Sequence, residues 1–283
     1  MHTNDEELKR LLQKVFEERG LDFRAYNKTM LKRRLARRLC ALRTESYKEY
    51  ARTLDTHLEE YKELFDSLII SVSHFFRNPL TFEFLYEVIL PEMITYKEQS
   101  RDAMIRVWSA GCAHGEEPYS VAILLAELLG ERLKDYRVTI YATDIDTNAL
   151  NEAKVGQYTE DSILEVKKGI LNKYFHHKNG YYQIGADIKA LVDFCFHDLT
   201  SEKVVVPSQS VFTNFDLILC RNVLIYFNQE LQKRVINNLK TVLNEKGYLV
   251  LGEAEILTDD GHSDIICRNG LCKIYQKTSQ GFD

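Results

Sequence analysis

Residues 105–120, IRVWSAGCAHGEEPYS, join an apolar run to a small-residue turn and then to a helix that opens on two carboxylates, Glu116 and Glu117. A glycine turn at a helix start offers bare backbone N–H groups and the positive end of the helix to an anion. Two glutamates at that place would repel an anion, so the ligand this turn fits is cationic or zwitterionic. S-Adenosylmethionine, with a sulfonium and an α-ammonium group and no phosphate, meets the requirement without a G-x-G-x-x-G cradle. The plainer reading is that the pair complements the helix dipole, as acidic first turns commonly do. A second apolar run ends in ATDID, with Asp144 at its tip and Asp146 two residues on. A carboxylate at such a tip accepts the ribose hydroxyls of an adenosine-containing cofactor, whereas Asp146 stands where it could cap a helix starting at Thr147. A third run, FDLILCRNVLIYF, brings Arg221, Asn222 and Tyr226 just beyond its end; Tyr226 also suits a half-buried core position.

These residues need a scaffold that gathers strand ends, and the pattern after Phe75 supplies one. Short apolar runs near 106–110, 138–143, 191–196, 215–220 and 248–252 alternate with helical stretches near 118–129, 148–154 and 229–244. That alternation predicts a doubly wound α/β sheet, in which ligands bind beyond the carboxyl ends of the strands. Residues 265–276 read as a closing β-hairpin turning at Asn269-Gly270. Residues 1–70 carry helical periodicity without strand-like alternation and predict a separate all-helical N-terminal domain, leaving 71–283 to the sheet domain. Within the helical part, MLKRRLARRLCALRT (30–44) holds Lys32, Arg33, Arg34, Arg37, Arg38 and Arg43 and no acid. Leu31, Leu35, Leu39 and Leu42 recur at helical spacing, so one face packs and most of the cations face outward. Such a face is either merely solvated or a docking surface for an acidic partner.

Composition narrows the class of protein. At 45% hydrophobic and 28% charged residues over 283 positions, the chain has the make-up of a soluble globular protein with room for two domains. No apolar run approaches the roughly 20 residues that span a bilayer, and MHTNDEELKR is too polar for a signal peptide, so a cytoplasmic protein is expected. The six cysteines form no CxxC pair and read as buried thiols rather than a metal site. A net charge of −5 argues against general nucleic-acid affinity.

Taken in order, SVSHFFRNP (71–79), WSAGCAHGEEPYS, ATDID and FDLILCRNVLIYF behind a basic helical N-terminal region resemble the CheR family, the chemotaxis receptor glutamate methyltransferases. The resemblance spans nearly the whole chain, and GEEPYS together with CRNVLIYF is its most specific part. It implies an S-adenosylmethionine-dependent methyltransferase sheet with a small antiparallel β-subdomain near 174–196. It implies methyl transfer to the γ-carboxylate of glutamates in the cytoplasmic helical bundle of methyl-accepting chemoreceptors, yielding methyl esters and S-adenosylhomocysteine with no metal. Carried over by motif, Arg77 and Tyr226 attend the reacting carboxylate. Ser71, Ser73, Arg77, Glu117, Asp144, Asp198, Leu199, Arg221 and Asn222 attend the cofactor, whereas it is the uneven charge of the basic helix that assigns Arg33, Arg34 and Arg37 to docking the receptor. The expected protein is a monomer recruited to membrane receptor arrays without inserting into the membrane or binding nucleic acid.

Several positions depart from the family pattern. Serines 71 and 73 stand where many relatives carry Asn and Thr, and Asp198-Leu199 where they often have Asn-Leu near the adenine. His114 lies in the glycine turn, although ester formation needs no base because a glutamate is already ionised near neutral pH. The short HHKNG turn, against a longer glycine-rich one in relatives that bind a receptor's C-terminal peptide by strand addition, predicts an enzyme independent of that tether. The competing readings are a methyltransferase for nucleic acid or a small molecule, and a module that binds S-adenosylmethionine without turnover.

Overall fold

The computed structural model describes residues 2–210, 214–257 and 264–278. Its internal contacts divide the chain into two compact units: Met1–Ile70 with Ile225–Arg234, and Ser71–Leu224 with Val235–Asp283.

The first unit holds helices α1 (His2–Arg19), α2 (Lys28–Leu42), α3 (Tyr47–Thr56) and α4 (Glu60–Leu68). Local chemistry sets the starts of two of them. The Asn27 side chain accepts from the N–H groups of Thr29 and Met30 to cap α2, and Ser46 accepts from Glu49 N–H to cap α3. Leu8, Leu11, Val15, Leu31, Leu35, Tyr50, Leu54 and Leu64 are buried. Glu60, buried among them, accepts from both Arg38 (2.5 and 2.9 Å) and the Tyr50 hydroxyl (2.7 Å), so its charge is matched rather than orphaned.

The second unit begins with α5 (Pro79–Phe84), which runs through a π-helical turn (Leu85–Ile89) into α6 (Leu90–Ser100). There follow β1 (Met104–Ala110), α7 (Glu116–Leu129), β2 (Arg137–Asp144), α8 (Thr147–Val155) and β3 (Gln157–Tyr158). Next come α9 (Lys168–Tyr174), β4 (Phe175–Lys178), β5 (Tyr181–Ile184), α10 (Ala186–Lys189), β6 (Val192–Phe196) and β7 (Phe215–Cys220). The last elements are α11 (Gln229–Thr241), β8 (Leu243–Leu251), β9 (Ile265–Asn269) and β10 (Ile274–Lys277).

Among the described residues, seven strands form one sheet in the order β6-β2-β1-β7-β8-β10-β9. Its β6-β2-β1-β7-β8 part is parallel, and β10 and β9 close it antiparallel. Every residue of β7 is buried, as a central parallel strand covered on both faces requires. Register aligns the strand ends: Ala110 pairs with Thr143, and Asp144 with Phe196. The carboxyl ends of β1, β2, β6 and β7 therefore share one edge, with the predicted polar residues on it.

Two expectations shift. The small antiparallel sheet is β3-β5-β4, so it draws in Gln157–Tyr158 and excludes Val192–Phe196, which pairs in parallel with β2 in the main sheet. The β4–β5 connection is Asn179-Gly180 with φ of 53° and 78°, the positive pair that a two-residue type I′ turn demands. The β9–β10 hairpin does not turn tightly at Asn269-Gly270. The Asn269 side chain accepts from Leu271 and Cys272 N–H and opens a longer loop that returns through Lys273 at φ 53°.

Candidate functional site

The turn after β1 spends its backbone donors on the end of β2. Gly111 and Cys112 N–H donate to the Thr143 carbonyl (2.8 and 2.9 Å), and Ala113 N–H donates to Asp144 Oδ2 (2.8 Å). Gly111 is obligatory on two counts: its φ is 82°, and a Cβ there would lie 2.2 Å from the Val223 side chain, so the turn and the segment after β7 touch backbone to side chain.

Asp144 sits half-buried at the tip of β2, its Oδ1 accepting from Asp146 N–H at 2.9 Å. Burial pushes its pKa up, and the N–H groups of Asp146 and Ala113 oppose that shift. Asp146 proves to be the N-cap of α8, accepting from Asn148 and Ala149 N–H, and its second oxygen accepts from Ser71 Oγ at 2.9 Å. Ser71 is thereby tied to the Asp144 edge.

The two glutamates of the turn part company. Glu117 accepts from Ser109 Oγ (2.7 Å) and Arg221 Nη1 (3.1 Å), so its charge is matched by a buried guanidinium. Glu116 is 3% exposed, one of its oxygens has no partner among the described residues, and burial pushes its pKa up. The premise of two uncompensated carboxylates facing a ligand is thus corrected: one is neutralised by an arginine that sequence spacing could not bring to it, and the other is sunk into the fold.

Arg221 links three segments. Besides Glu117, its Nη2 donates to the Arg77 carbonyl and to Asn78 Oδ1, both at 2.8 Å, and its guanidinium stacks 5.2 Å from the Phe82 ring centroid. The turn it grips is shaped by Phe76 and Asn78 at φ 55° and 63° and pinned by Phe75 N–H to the Ser162 carbonyl and Phe76 N–H to Ser120 Oγ. Arg77 is half-buried, donating to the Val72 carbonyl at 3.2 Å. Among the described residues, Ser73 and the Asn222 side-chain amide have no protein hydrogen-bond partner, although each lies on a segment hydrogen-bonded into this edge. Asp198 folds back on its own loop, Oδ1 accepting from Thr200 N–H and Oγ1, with half-buried Leu199 between them. His114 approaches Glu152 at 3.3 Å, and its carbonyl accepts from the Tyr158 hydroxyl.

Glu255 escaped the sequence reading. It is 3% exposed, with Oε2 accepting from Gly252 N–H (2.6 Å) and Asn222 N–H (3.1 Å) and Oε1 from Leu224 N–H (2.7 Å). The pattern GEAE gives no sign of this, because the three donors come from two strand ends that only the fold brings together.

Two further candidates belong to the helical unit. The Tyr226 carbonyl accepts from Asn27 N–H, and the Arg34 guanidinium lies 5.7 Å from its ring centroid. Arg34 does not join the outward face of α2: it is buried and donates to the Ser67 and Leu68 carbonyls. Those two C-terminal carbonyls of α4 need donors, and Arg34 is one turn from Leu31 on the packed side. Its assignment to receptor docking is corrected on that ground. Arg33 and Arg37 are exposed.

Held at this edge are a strand-tip carboxylate, an amide and a hydroxyl without protein partners among the described residues, and a buried arginine-glutamate pair. No His, Cys, Asp and Glu cluster among the described residues has the makings of a metal site. Residues 71–271 match the family described as "CheR methyltransferase, SAM binding domain", and residues 6–69 match "CheR methyltransferase, all-alpha domain". The chain is 32% identical to a chemotaxis protein methyltransferase of Borreliella burgdorferi over 94% of its own length and 93% of the relative's. It is 30% identical to that of Escherichia coli over 89% and 85%, and 32% identical to that of Listeria innocua over 85% and 86%. With both domains matched and relatives about 30% identical over most of its length, the chain belongs to the CheR methyltransferases, enzymes of chemotaxis that use S-adenosylmethionine.

Proposed function

We propose that the protein methylates the γ-carboxylate of particular glutamates in the cytoplasmic helical bundle of a chemoreceptor. S-Adenosylmethionine supplies an activated methyl on sulfur. In one displacement the glutamate oxygen forms a C–O bond as the S–C bond breaks, the electron pair stays on sulfur, and no proton moves. The receiving carboxylate is ionised near neutral pH, so the residues have only to hold, align and exclude water. Asp144 accepts from the ribose, Asp198-Leu199 border the adenine, and Ser71, Ser73, Glu117, Arg221 and Asn222 hold the amino-acid end or the groups that hold it. Arg77 presents a planar fork to the carboxylate, and Tyr226 attends the same group.

The observation that carries this reading is the chain of contacts from Glu117 through Arg221 to the Arg77 carbonyl and Asn78. It ties the residue proposed for the acceptor to the residue proposed for the cofactor, the coupling that alignment of a displacement needs. Residues 1–70 would dock the receptor through Arg33 and Arg37, and residues 71–283 would carry the transfer. The two-residue β4–β5 turn favours an enzyme that does not need a receptor tail. No described helix is long and apolar enough to cross a membrane; the proposed enzyme is a monomer recruited to receptor arrays from the cytoplasm.

Incubating the protein with tritiated S-adenosylmethionine and receptor-containing membranes tests the proposal. Base-labile volatile counts in the receptor band are expected; base-stable label, or transfer to nucleic acid or a small molecule instead, would overturn it.

A further inference from the structure

We infer that Glu255 is a positioning residue for the cofactor site: its buried carboxylate presets Asn222 in the conformation that binds S-adenosylmethionine. The inference rests on the reading of Asn222 as a cofactor contact and extends it to a residue in a different segment.

The backbone states the problem that Glu255 solves. β7 ends at Cys220, and two residues later Asn222 takes φ 60°, a left-handed conformation that asparagine tolerates better than most residues and that turns the chain sharply. The reversal leaves the N–H groups of Asn222 and Leu224 pointing into the protein, away from any ladder partner. Buried N–H groups need acceptors. Glu255 Oε2 takes Asn222 N–H at 3.1 Å and Oε1 takes Leu224 N–H at 2.7 Å, so one rigid carboxylate spans the reversal. Oε2 also takes Gly252 N–H at 2.6 Å, which fixes the carboxylate to the end of β8, the neighbour of β7.

Space confirms how closely the parts are set. A Cβ on Gly252 would fall 2.7 Å from Asn222 N, 2.8 Å from Glu255 Oε2 and 3.0 Å from Asn222 Nδ2. Only a glycine lets the end of β8 approach the Asn222 backbone and amide this closely. The Asn222 amide itself has no protein partner among the described residues. Partly exposed and with its own backbone clamped, that amide is left open to a ligand.

Acceptor character is what the position requires. An amide at 255 keeps one oxygen but turns an NH2 toward a backbone N–H that needs an acceptor, so Glu255→Gln breaks the clamp with almost no change in shape. Glu255→Asp keeps both oxygens on a stem too short to reach Asn222 and Leu224 together.

The experiment measures S-adenosylmethionine affinity by calorimetry on the full chain for wild type, Glu255→Gln, Glu255→Asp, Asn222→Ala and the Asn222→Ala/Glu255→Gln double variant, with thermal unfolding of each. Glu255→Gln is expected to weaken binding at least tenfold, Glu255→Asp several-fold, and the double variant no more than the worse single, because both act through one side chain. Steady-state kinetics should show KM for S-adenosylmethionine rising while KM for receptor stays put, a split that general loosening of the fold would not give. If Glu255→Gln is too unstable to measure, Glu255→Asp decides alone. Wild-type affinity in either folded Glu255 variant, or strictly additive losses in the double variant, overturns the inference. Wild-type affinity in Asn222→Ala overturns instead the reading of Asn222 on which it rests.

Discussion

The two flanks of the cofactor edge are built from the same device and put it to opposite uses. On the β1–β2 flank Asp144 accepts backbone N–H bonds from Ala113 and Asp146 and remains half-buried, so one carboxylate closes the turn without being fully enclosed. On the β7–β8 flank Glu255 accepts from Asn222, Leu224 and Gly252 and is almost fully buried, while Arg221 beside it is buried against Glu117, Arg77 and Asn78. The first flank leaves a partly exposed carboxylate at its strand tip. The second spends its charges on the protein and leaves the Asn222 amide without a protein partner among the described residues. Substitutions on the two flanks should therefore separate, with losses of ligand affinity on one and losses of stability accompanied by affinity on the other.

Arg221→Ala is the harshest way to break that contrast. It leaves Glu117 buried without its cation and the Arg77 carbonyl without its donor, and breaking one partner of a buried pair costs about 3–5 kcal/mol. Urea unfolding should show a loss in that range, with cofactor binding lost as well. A variant within about 1 kcal/mol of wild type would mean that the pair is as weak as an exposed one and that the flanks do not differ.

Asp144→Ala should act on the other side of the comparison. Losing a charged acceptor for the ribose is worth about 1.5–3 kcal/mol of binding, and calorimetry should find that loss with a smaller change in stability, since Asp144 is not fully enclosed. Unchanged affinity would remove Asp144 from the cofactor site.

Arg77→Ala and Tyr226→Phe sharpen a different boundary, between holding the cofactor and receiving the methyl. Each should lower the single-turnover rate roughly tenfold or more, about 1.4 kcal/mol of transition-state stabilisation, with cofactor affinity changed less. Normal turnover at saturating cofactor would take that residue out of the transfer step.

What could be read from the sequence follows the same division. Asp144 was legible because an acid at the tip of an apolar run needs only the strand to place it, and the main-sheet strands announced themselves as apolar runs between helical stretches. Asp146 reads in the sequence as ligand contact or cap, and its bonds from Asn148 and Ala149 N–H make it the cap of α8. Glu255 and the Arg221–Glu117 pair were not legible, because partners 31 to 104 residues apart meet only after β7 settles between β1 and β8. The small sheet differs from its sequence pattern for a related reason: Gln157–Tyr158 is too short to read as a strand and becomes one only by pairing with β5.

The basic helix α2 offers the gentlest test, and it turns on one misplaced arginine. The run of positive charge groups Arg33, Arg34 and Arg37, yet Arg34 lies on the packed side and caps the end of α4 while Arg33 and Arg37 stay exposed. Arg33→Glu with Arg37→Glu should raise KM for receptor a few-fold and leave both cofactor affinity and stability near wild type, since exposed charges are worth about 0.2–1 kcal/mol each. Rising salt should raise the wild-type KM and shrink the difference, because exposed charges are screened beyond a Debye length of about 8 Å at physiological ionic strength. Arg34→Glu should behave otherwise, placing a carboxylate against the Ser67 and Leu68 carbonyls and lowering the unfolding midpoint at any salt. Receptor methylation by the three proteins at low and high salt, read beside their melting curves, separates the cases. Equal kinetics for wild type and the double reversal would make Arg33 and Arg37 a solvated helix face and nothing more.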